Sequence, residues 1–204
     1  TLYPMSPEIY LSSKDATLAS IIENTPTFKK TDWNQDVYLA LLESIVSQQI
    51  SVKAADSIFT RFRALFPNEY PHPDLLLTQT EEQLRSAGLS FQKINYLRNV
   101  ATFALEKGID FVYLDTLTDD EIVDYLITIK GVGRWTVEML LMFVMDRADV
   151  FPVDDLVIRQ KMVKAYNLTE TGRPLYKKLH AIAENWRPYR TIACRYLWRW
   201  KPEK

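Results

Sequence analysis

The chain has 204 residues and is poor in several residue types, which narrows the functions open to it. It contains one cysteine, Cys194, so it can form neither an internal disulfide nor a cysteine-ligated iron–sulfur cluster. A single cysteine also indicates a reducing compartment. The two histidines, His72 and His180, are too few and too isolated to predict a metal site or a catalytic triad.

Long apolar runs are also absent, so we expect no membrane-spanning segment, and the first residues lack the pattern of a signal peptide. The chain begins with Thr1 rather than Met, and we expect some upstream sequence to be missing. The net charge is −1, whereas nucleic-acid-binding proteins are usually basic. Any contact with DNA must therefore come from a local patch or from backbone amides.

Glycine is scarce, with five residues, and strand-like alternation of apolar and polar residues is missing. Apolar residues instead recur at helical spacing, in the stripes Ala55, Phe59, Phe62, Phe66 and Phe91, Ile94, Leu97, Ala101, Leu105. Ser51 and Ser90 are positioned as N-caps, and Thr80 and Thr118 begin capping boxes. The sequence therefore predicts an all-α fold of about ten helices with short connections and no sheet.

The most informative segment is Lys130-Gly131-Val132-Gly133-Arg134, which joins an amphipathic helix to an apolar one. We expect both glycines to allow positive φ and the close approach of a ligand. The amides at the start of the second helix would then favour an anion such as phosphate. A plain tight turn between packed helices is the alternative interpretation.

Two adjacent aspartates, Asp154 and Asp155, stand before another predicted helix. The ordinary role of an aspartate at this place is helix capping. Since successive residues point in different directions, we expect one of the two, Asp154, to cap the helix and the other to project into a cleft.

Three segments together closely resemble the 3-methyladenine DNA glycosylase II family of the helix-hairpin-helix glycosylase superfamily: Gly131–Thr136, Phe151–Gln160 and Arg187–Trp198. A weaker match is Ile45–Ser51, and the resemblance spans about residues 36–200. It implies two helical lobes with the active-site cleft between them. One lobe is expected at about 36–148, and the other combines 1–35 with 149–204. Longer family members carry an N-terminal β-rich domain, for which we expect no room in this chain.

The resemblance implies an enzyme of base excision repair that flips an alkylated purine out of the duplex and hydrolyses its N-glycosidic bond. Asp155 is implied as the carboxylate that stabilises the sugar cation or activates water. Counting from the hairpin as in other branches of the superfamily favours Asp154, so both stay candidates. Trp135 stands where bifunctional relatives have the lysine that leads to strand cleavage. An abasic site on an intact strand is therefore the expected product.

The same resemblance implies further site residues. The base pocket is expected to contain Trp135, Trp198, Tyr38 and Tyr189, where an aromatic ring stacks on a cationic purine. Trp33 and Tyr196 are further pocket candidates. For these two, as for Tyr38 and Tyr189, core packing is the more common role. DNA contacts are expected from Gln48, Gln49, Ser51, Lys130, Gly131, Val132, Gly133, Arg134 and Thr136, with Gln49 wedged into the gap left by the flipped nucleotide. The carbonyls of Ile127, Ile129 and Val132 are expected to hold Na⁺ or K⁺, and we expect no other cofactor.

Other functions stay open. A non-catalytic helix-hairpin-helix module would need only the hairpin, and it would leave the aspartates and Trp198 unexplained. A glycosylase for oxidised or mismatched bases would normally need the hairpin lysine or a four-cysteine cluster. An inactive helical interaction protein is the third alternative.

For the main hypothesis we expect a monomer acting on double-stranded DNA, in the bacterial cytoplasm or a eukaryotic nucleus. Its preferred base stays open among 3-methyladenine, 7-methylguanine, hypoxanthine and ethenoadenine.

Overall fold

The computed structural model describes residues 5–27 and 35–201. Over these residues the chain is all-α and contains no strand, which confirms the predicted fold class. Trp33 lies outside the described residues. The thirteen helices in this part of the chain are α1 (Pro7–Lys14), α2 (Ala16–Glu23), α3 (Val37–Ser47), α4 (Val52–Arg63), α5 (Pro73–Thr78), α6 (Glu81–Ser86), α7 (Phe91–Glu106), α8 (Phe111–Asp115), α9 (Asp119–Leu126), α10 (Arg134–Phe143), α11 (Leu156–Ala165), α12 (Gly172–Glu184) and α13 (Arg190–Arg199).

Local capping signals place most of the helix starts. Ser51 and Ser90 accept hydrogen bonds from the amides of Ala54 and Lys93, as N-caps of α4 and α7. Thr80 and Thr118 form complete capping boxes. The helix count exceeds the expected ten partly because helices such as α8, with five residues, are too short to display two turns of a periodic pattern.

The chain divides into two compact units, of which one comprises Asp32–Met145. We call it the hairpin unit because it contains the segment that joins α9 to α10. Inside it, α7 packs against α3 and α5, and α10 packs against α3 and α9. The apolar stripe of α4 is buried as predicted. In α7 the central apolar residues are buried, whereas Phe91 and Leu105 at its ends are 56% and 57% exposed.

The other unit comprises Thr1–Thr31 and Asp146–Lys204, and we call it the aspartate unit. Its centre is α13, which packs against α1, α2 and α11. Trp186 is fully buried, and its indole nitrogen donates to the Asp15 carboxylate at 2.9 Å. The hydroxyl of Tyr166 donates to the same oxygen at 2.7 Å, so this partly buried carboxylate accepts two hydrogen bonds on one oxygen. Tyr196 is 1% exposed, and its core role is therefore confirmed.

No helix among the described residues combines the length and the apolar character needed to cross a membrane.

Candidate functional site

Asp155 is a buried carboxylate at the start of α11. It is the N-cap residue, and its Oδ1 atom accepts a hydrogen bond from the amide of Ile158 at 2.9 Å. The same oxygen accepts from the indole Nε1 of Trp198 at 3.1 Å. Only 8% of the residue is exposed. Two N–H donors thus hold one carboxylate oxygen in a fixed position beside an aromatic ring.

Asp154 differs from Asp155 in both exposure and contacts. Its side chain is 56% exposed, its Oδ1 accepts from the Tyr176 hydroxyl at 3.1 Å, and Arg159 lies 3.8 Å away. The expectation that Asp154 caps the helix is therefore wrong. The physical reason is that α11 begins at Leu156, which gives the N-cap position to Asp155. The buried carboxylate and the helix cap are the same group.

Trp198 and Tyr189 lie at opposite ends of α13. Trp198 is half-buried in the last turn, and its backbone carbonyl accepts a hydrogen bond from Lys161 Nζ at 2.5 Å. Burial lowers the pKa of the Lys161 ammonium. Tyr189 precedes the first residue of α13 and packs edge-on against Tyr10, with the ring centres 5.4 Å apart. Trp198 is therefore a predicted pocket residue that donates a hydrogen bond to Asp155.

The hairpin between α9 and α10 contains two glycines with different backbone conformations. Gly131 has a φ of +108°, and a Cβ there would lie 2.3 Å from Cγ of the Tyr96 ring. Gly133 has a φ of −99° and is the N-cap of α10. The expectation of positive φ at both glycines is wrong for Gly133, because the helix N-cap adopts extended backbone. Apart from Gly133 and its adjoining residues, no described atom lies within 4 Å of the position that a Cβ on Gly133 would take.

The first turn of α10 presents its amides without a side-chain cap, because Gly133 has no acceptor atom. Arg134 lies in this turn and forms an ion pair with Glu138 at 3.2 Å. Thr136 and Val132 are 4% and 6% exposed, so DNA contacts from these two residues, which stay a prediction, are expected through main-chain atoms. Their side chains pack inward because they occupy the apolar face of the turn, whereas Lys130, Gly133 and Arg134 are exposed.

The segment after α3 is hydrogen-bonded to the hairpin. Gln48 Nε2 donates to the carbonyl of Gly131 at 3.2 Å, so its side-chain amide has an intramolecular role that the sequence did not indicate. Gln49 is exposed and has a φ of +60°, an uncommon conformation for a residue with a side chain. Ser51 caps α4 with its hydroxyl. Gln49 thus has neither the bridging role of Gln48 nor the capping role of Ser51.

Three residues of α7 that the sequence did not indicate support these segments. Lys93 Nζ donates to the carbonyl of Val46 at 2.6 Å, and Asn99 Nδ2 donates to the carbonyl of Lys130 at 3.0 Å. Tyr96 packs under Gly131. Burial lowers the pKa of Lys93. Their spacing of three residues places them along one side of a helix, but it carries no information about their distant partners.

The other two predicted pocket residues, Trp135 and Tyr38, belong to the hairpin unit. Trp135 is 45% exposed in the first turn of α10. Tyr38 is 6% exposed, and its hydroxyl donates to the carbonyl of Pro71 at 2.7 Å. Burial raises the pKa of Tyr38. It lines a cavity of about 530 Å³ together with Tyr70, His72 and Phe111. The contacts of Tyr38 are those of a core residue, and its place in a base pocket stays a prediction.

The predicted cation ligands are the carbonyls of Ile127, Ile129 and Val132. Ile127 is the C-cap of α9, where carbonyl oxygens carry partial negative charge. The Ile129 carbonyl accepts from the Val132 amide at 2.9 Å and retains a second lone pair. Carbonyl oxygens are suitable donors for Na⁺ or K⁺, so the chemistry of these groups fits such an ion. Among the described residues, no cluster of three or more His, Cys, Asp or Glu could hold a metal.

Comparison with known proteins identifies the family. A model of the HhH-GPD superfamily of base excision DNA repair proteins matches residues 42–188. The chain is 33% identical to DNA-3-methyladenine glycosylase 1 of Schizosaccharomyces pombe over 196 residues, which cover 94% of this chain and 85% of that protein.

Two solved structures are similar to this chain over most of their length. One is the 3-methyladenine DNA glycosylase of Schizosaccharomyces pombe in complex with abasic DNA, with a TM-score of 0.80, 32% identity and 95% of both chains covered. The other is a DNA-3-methyladenine glycosidase from Bacillus halodurans, with a TM-score of 0.79, 34% identity and coverage of 95% of this chain and 88% of that one. The chain therefore belongs to the HhH-GPD superfamily of base excision DNA repair proteins.

Proposed function

We propose that the protein is a monofunctional DNA glycosylase that removes alkylated purines, of the 3-methyladenine and 7-methylguanine type, from double-stranded DNA. The observation that carries this proposal is the buried Asp155 carboxylate, held by Ile158 and Trp198 beside the indole ring. Membership of a base excision repair family supports it, as does the similarity to DNA-3-methyladenine glycosylases. A non-catalytic hairpin module would leave the Asp155–Trp198 pair without a function.

Asp155 supplies the charge that the reaction needs. An N3- or N7-alkylated purine is cationic, so the bond from C1′ of the sugar to the base breaks with its electron pair going to the base, which leaves neutral. Positive charge then develops on the sugar, and a fixed carboxylate stabilises it. Water attacks C1′, and the proton that it releases is accepted by Asp155. The product is an abasic site on an unbroken strand.

The hairpin binds the DNA backbone in this proposal. The uncapped amides at the start of α10 provide donors for a phosphate oxygen, and the helix dipole favours an anion there. Gly133 adds no side chain that would hold the backbone away. Gln49 enters the gap left by the flipped nucleotide. The carbonyls of Ile127, Ile129 and Val132 would hold Na⁺ or K⁺, which would supply positive charge for an anionic backbone. The protein acts as a monomer in the bacterial cytoplasm or a eukaryotic nucleus.

The primary test is release of the free base from DNA treated with a methylating agent, analysed by chromatography. The proposal requires release of 7-methylguanine or 3-methyladenine by the wild-type protein, and none from unmethylated DNA. Binding of DNA without any base release would instead support a non-catalytic module.

The Trp135 side chain leads to a prediction about strand cleavage. Because tryptophan has no amine to attack the sugar, we expect no Schiff base and no β-elimination. Borohydride added during turnover should trap no protein–DNA adduct, while a known glycosylase/lyase treated in parallel should be trapped. An adduct would overturn the monofunctional assignment, and peptide mapping would then identify the responsible lysine.

Trp198 leads to a prediction about the base pocket. Trp198→Ala removes an aromatic ring that can stack on a cationic purine, an interaction worth about 0.5–2 kcal/mol. We therefore expect the single-turnover rate of 7-methylguanine excision to fall by roughly 2- to 30-fold. Thermal unfolding is the control. If stability falls while the excision rate stays normal, Trp198 is a core residue and not part of the pocket.

A further inference from the structure

Lys161 is a residue of the aspartate unit that the proposed mechanism does not use. It lies in the second turn of α11, and its Nζ donates to the carbonyl of Trp198 at 2.5 Å. This carbonyl lies in the last turn of α13, beyond the reach of the amides of its own helix. The half-buried ammonium thus caps the turn of α13 that carries the Trp198 ring.

The same helix reaches Trp198 at a second point. Asp155, the N-cap of α11, accepts a hydrogen bond from the Trp198 indole at 3.1 Å. Trp198 is therefore held by α11 through both its main chain and its side chain. In return, the indole N–H and the Ile158 amide fix one oxygen of the Asp155 carboxylate.

We infer that Lys161 is a positioning residue for the Asp155 carboxylate and that it acts through the main chain and the indole N–H of Trp198. This inference rests on the proposed function of Asp155. It gives Trp198 a role besides stacking, because its ring nitrogen orients the group that faces the developing sugar cation. A misplacement of about 1 Å at a reacting group is enough to lower a rate by roughly 100-fold, so a loosened last turn of α13 has a kinetic consequence.

The test is a double-mutant cycle of Lys161→Met and Trp198→Phe, where phenylalanine keeps a ring but lacks the N–H. We expect each single variant to lower the single-turnover excision rate about tenfold, with unchanged affinity for a duplex that contains an abasic-site analogue. Since both changes act on one contact, the double variant should be no slower than the slower single variant. Lys178→Met, on exposed α12 surface of the same unit, is the matched control and should keep the wild-type rate.

A rescue experiment and a spectrum separate positioning from general stability. Lys161→Arg keeps a cationic donor and should be faster than Lys161→Met. In a ¹H–¹⁵N spectrum, the indole signal of Trp198 is identified by its loss in Trp198→Phe. We expect this signal to move in Lys161→Met and to stay in place in Lys178→Met.

Three results would overturn the inference: a wild-type rate for Lys161→Met, multiplicative losses in the double variant, or an unmoved Trp198 indole signal. Failure of the proposed function is distinguishable. In that case the wild-type protein would release no alkylated base, while the indole signal would still report whether Lys161 holds Trp198.

Discussion

Asp155→Asn is expected to lower the single-turnover rate of base excision by about 100-fold or more, which is the effect of removing a preorganised charge from a transition state. Asparagine keeps a side-chain oxygen that can accept from both Ile158 and Trp198, and it caps helices nearly as well as aspartate. Structure and DNA binding should therefore persist while the negative charge is lost. Single-turnover kinetics on methylated DNA and affinity for an abasic-site duplex measure the two effects separately.

The neighbouring aspartate provides the matched control. Asp154 is largely exposed and contacts Tyr176 and Arg159, and an exposed pair of this kind contributes about 0–1 kcal/mol. Asp154→Asn should therefore leave both the excision rate and the thermal stability close to wild type. If Asp154→Asn abolishes excision and Asp155→Asn does not, the catalytic assignment moves to Asp154.

Alanine is the wrong substitution for this test. Asp155→Ala would remove the cap of α11, which costs about 0.5–2 kcal/mol, and it would leave the Trp198 indole N–H without this acceptor. A slow Asp155→Ala enzyme could then reflect loss of structure. We expect Asp155→Ala to unfold at a lower temperature than Asp155→Asn, because Asp155 and not Asp154 caps α11.

Local signals in the sequence predicted the features that depend on a few neighbouring residues. The capping boxes at Thr80 and Thr118 need only the residue three positions later, and both are present. The all-helical fold likewise follows from apolar spacing. The predicted cap of α11 is wrong by one residue, because Asp154 and Asp155 are equally good caps by residue type and the sequence does not show that the helix begins at Leu156.

Contacts between distant residues could not be predicted in the same way. Gln48 and the Gly131 carbonyl are separated by 83 positions, and nothing in either segment specifies the other. Lys93 and Asn99 resemble ordinary solvated residues of a helix until the carbonyls of Val46 and Lys130 are placed beside them. Trp198 illustrates both cases, because the family resemblance marked it for the pocket but its hydrogen bond to Asp155 needed the structure.

The two hairpin glycines should respond to substitution in opposite ways. Gly131→Ala should destabilise the protein by about 1–3 kcal/mol, because alanine is strained at a φ of +108° and its Cβ would overlap the Tyr96 ring. The fraction of Gly131→Ala protein that binds DNA should therefore equal the fraction that is folded. Thermal unfolding and binding, measured on the same samples, check this relation.

Gly133→Ser tests the phosphate grip without that strain. The position has extended φ and open space around it, and serine is a preferred N-cap, so stability should stay the same or rise. The new hydroxyl would accept from an amide of the first turn and its Cβ would hold the DNA backbone away. Affinity for undamaged duplexes should then fall by about tenfold, or roughly 1.4 kcal/mol, and by the same factor for every sequence, because phosphate contacts carry no base information. The dependence of binding on salt should stay shallow, since few lysine or arginine contacts are involved. A stable Gly133→Ser protein that binds DNA as well as wild type, or one whose loss varies with base sequence, would show that the amides of α10 do not hold phosphate.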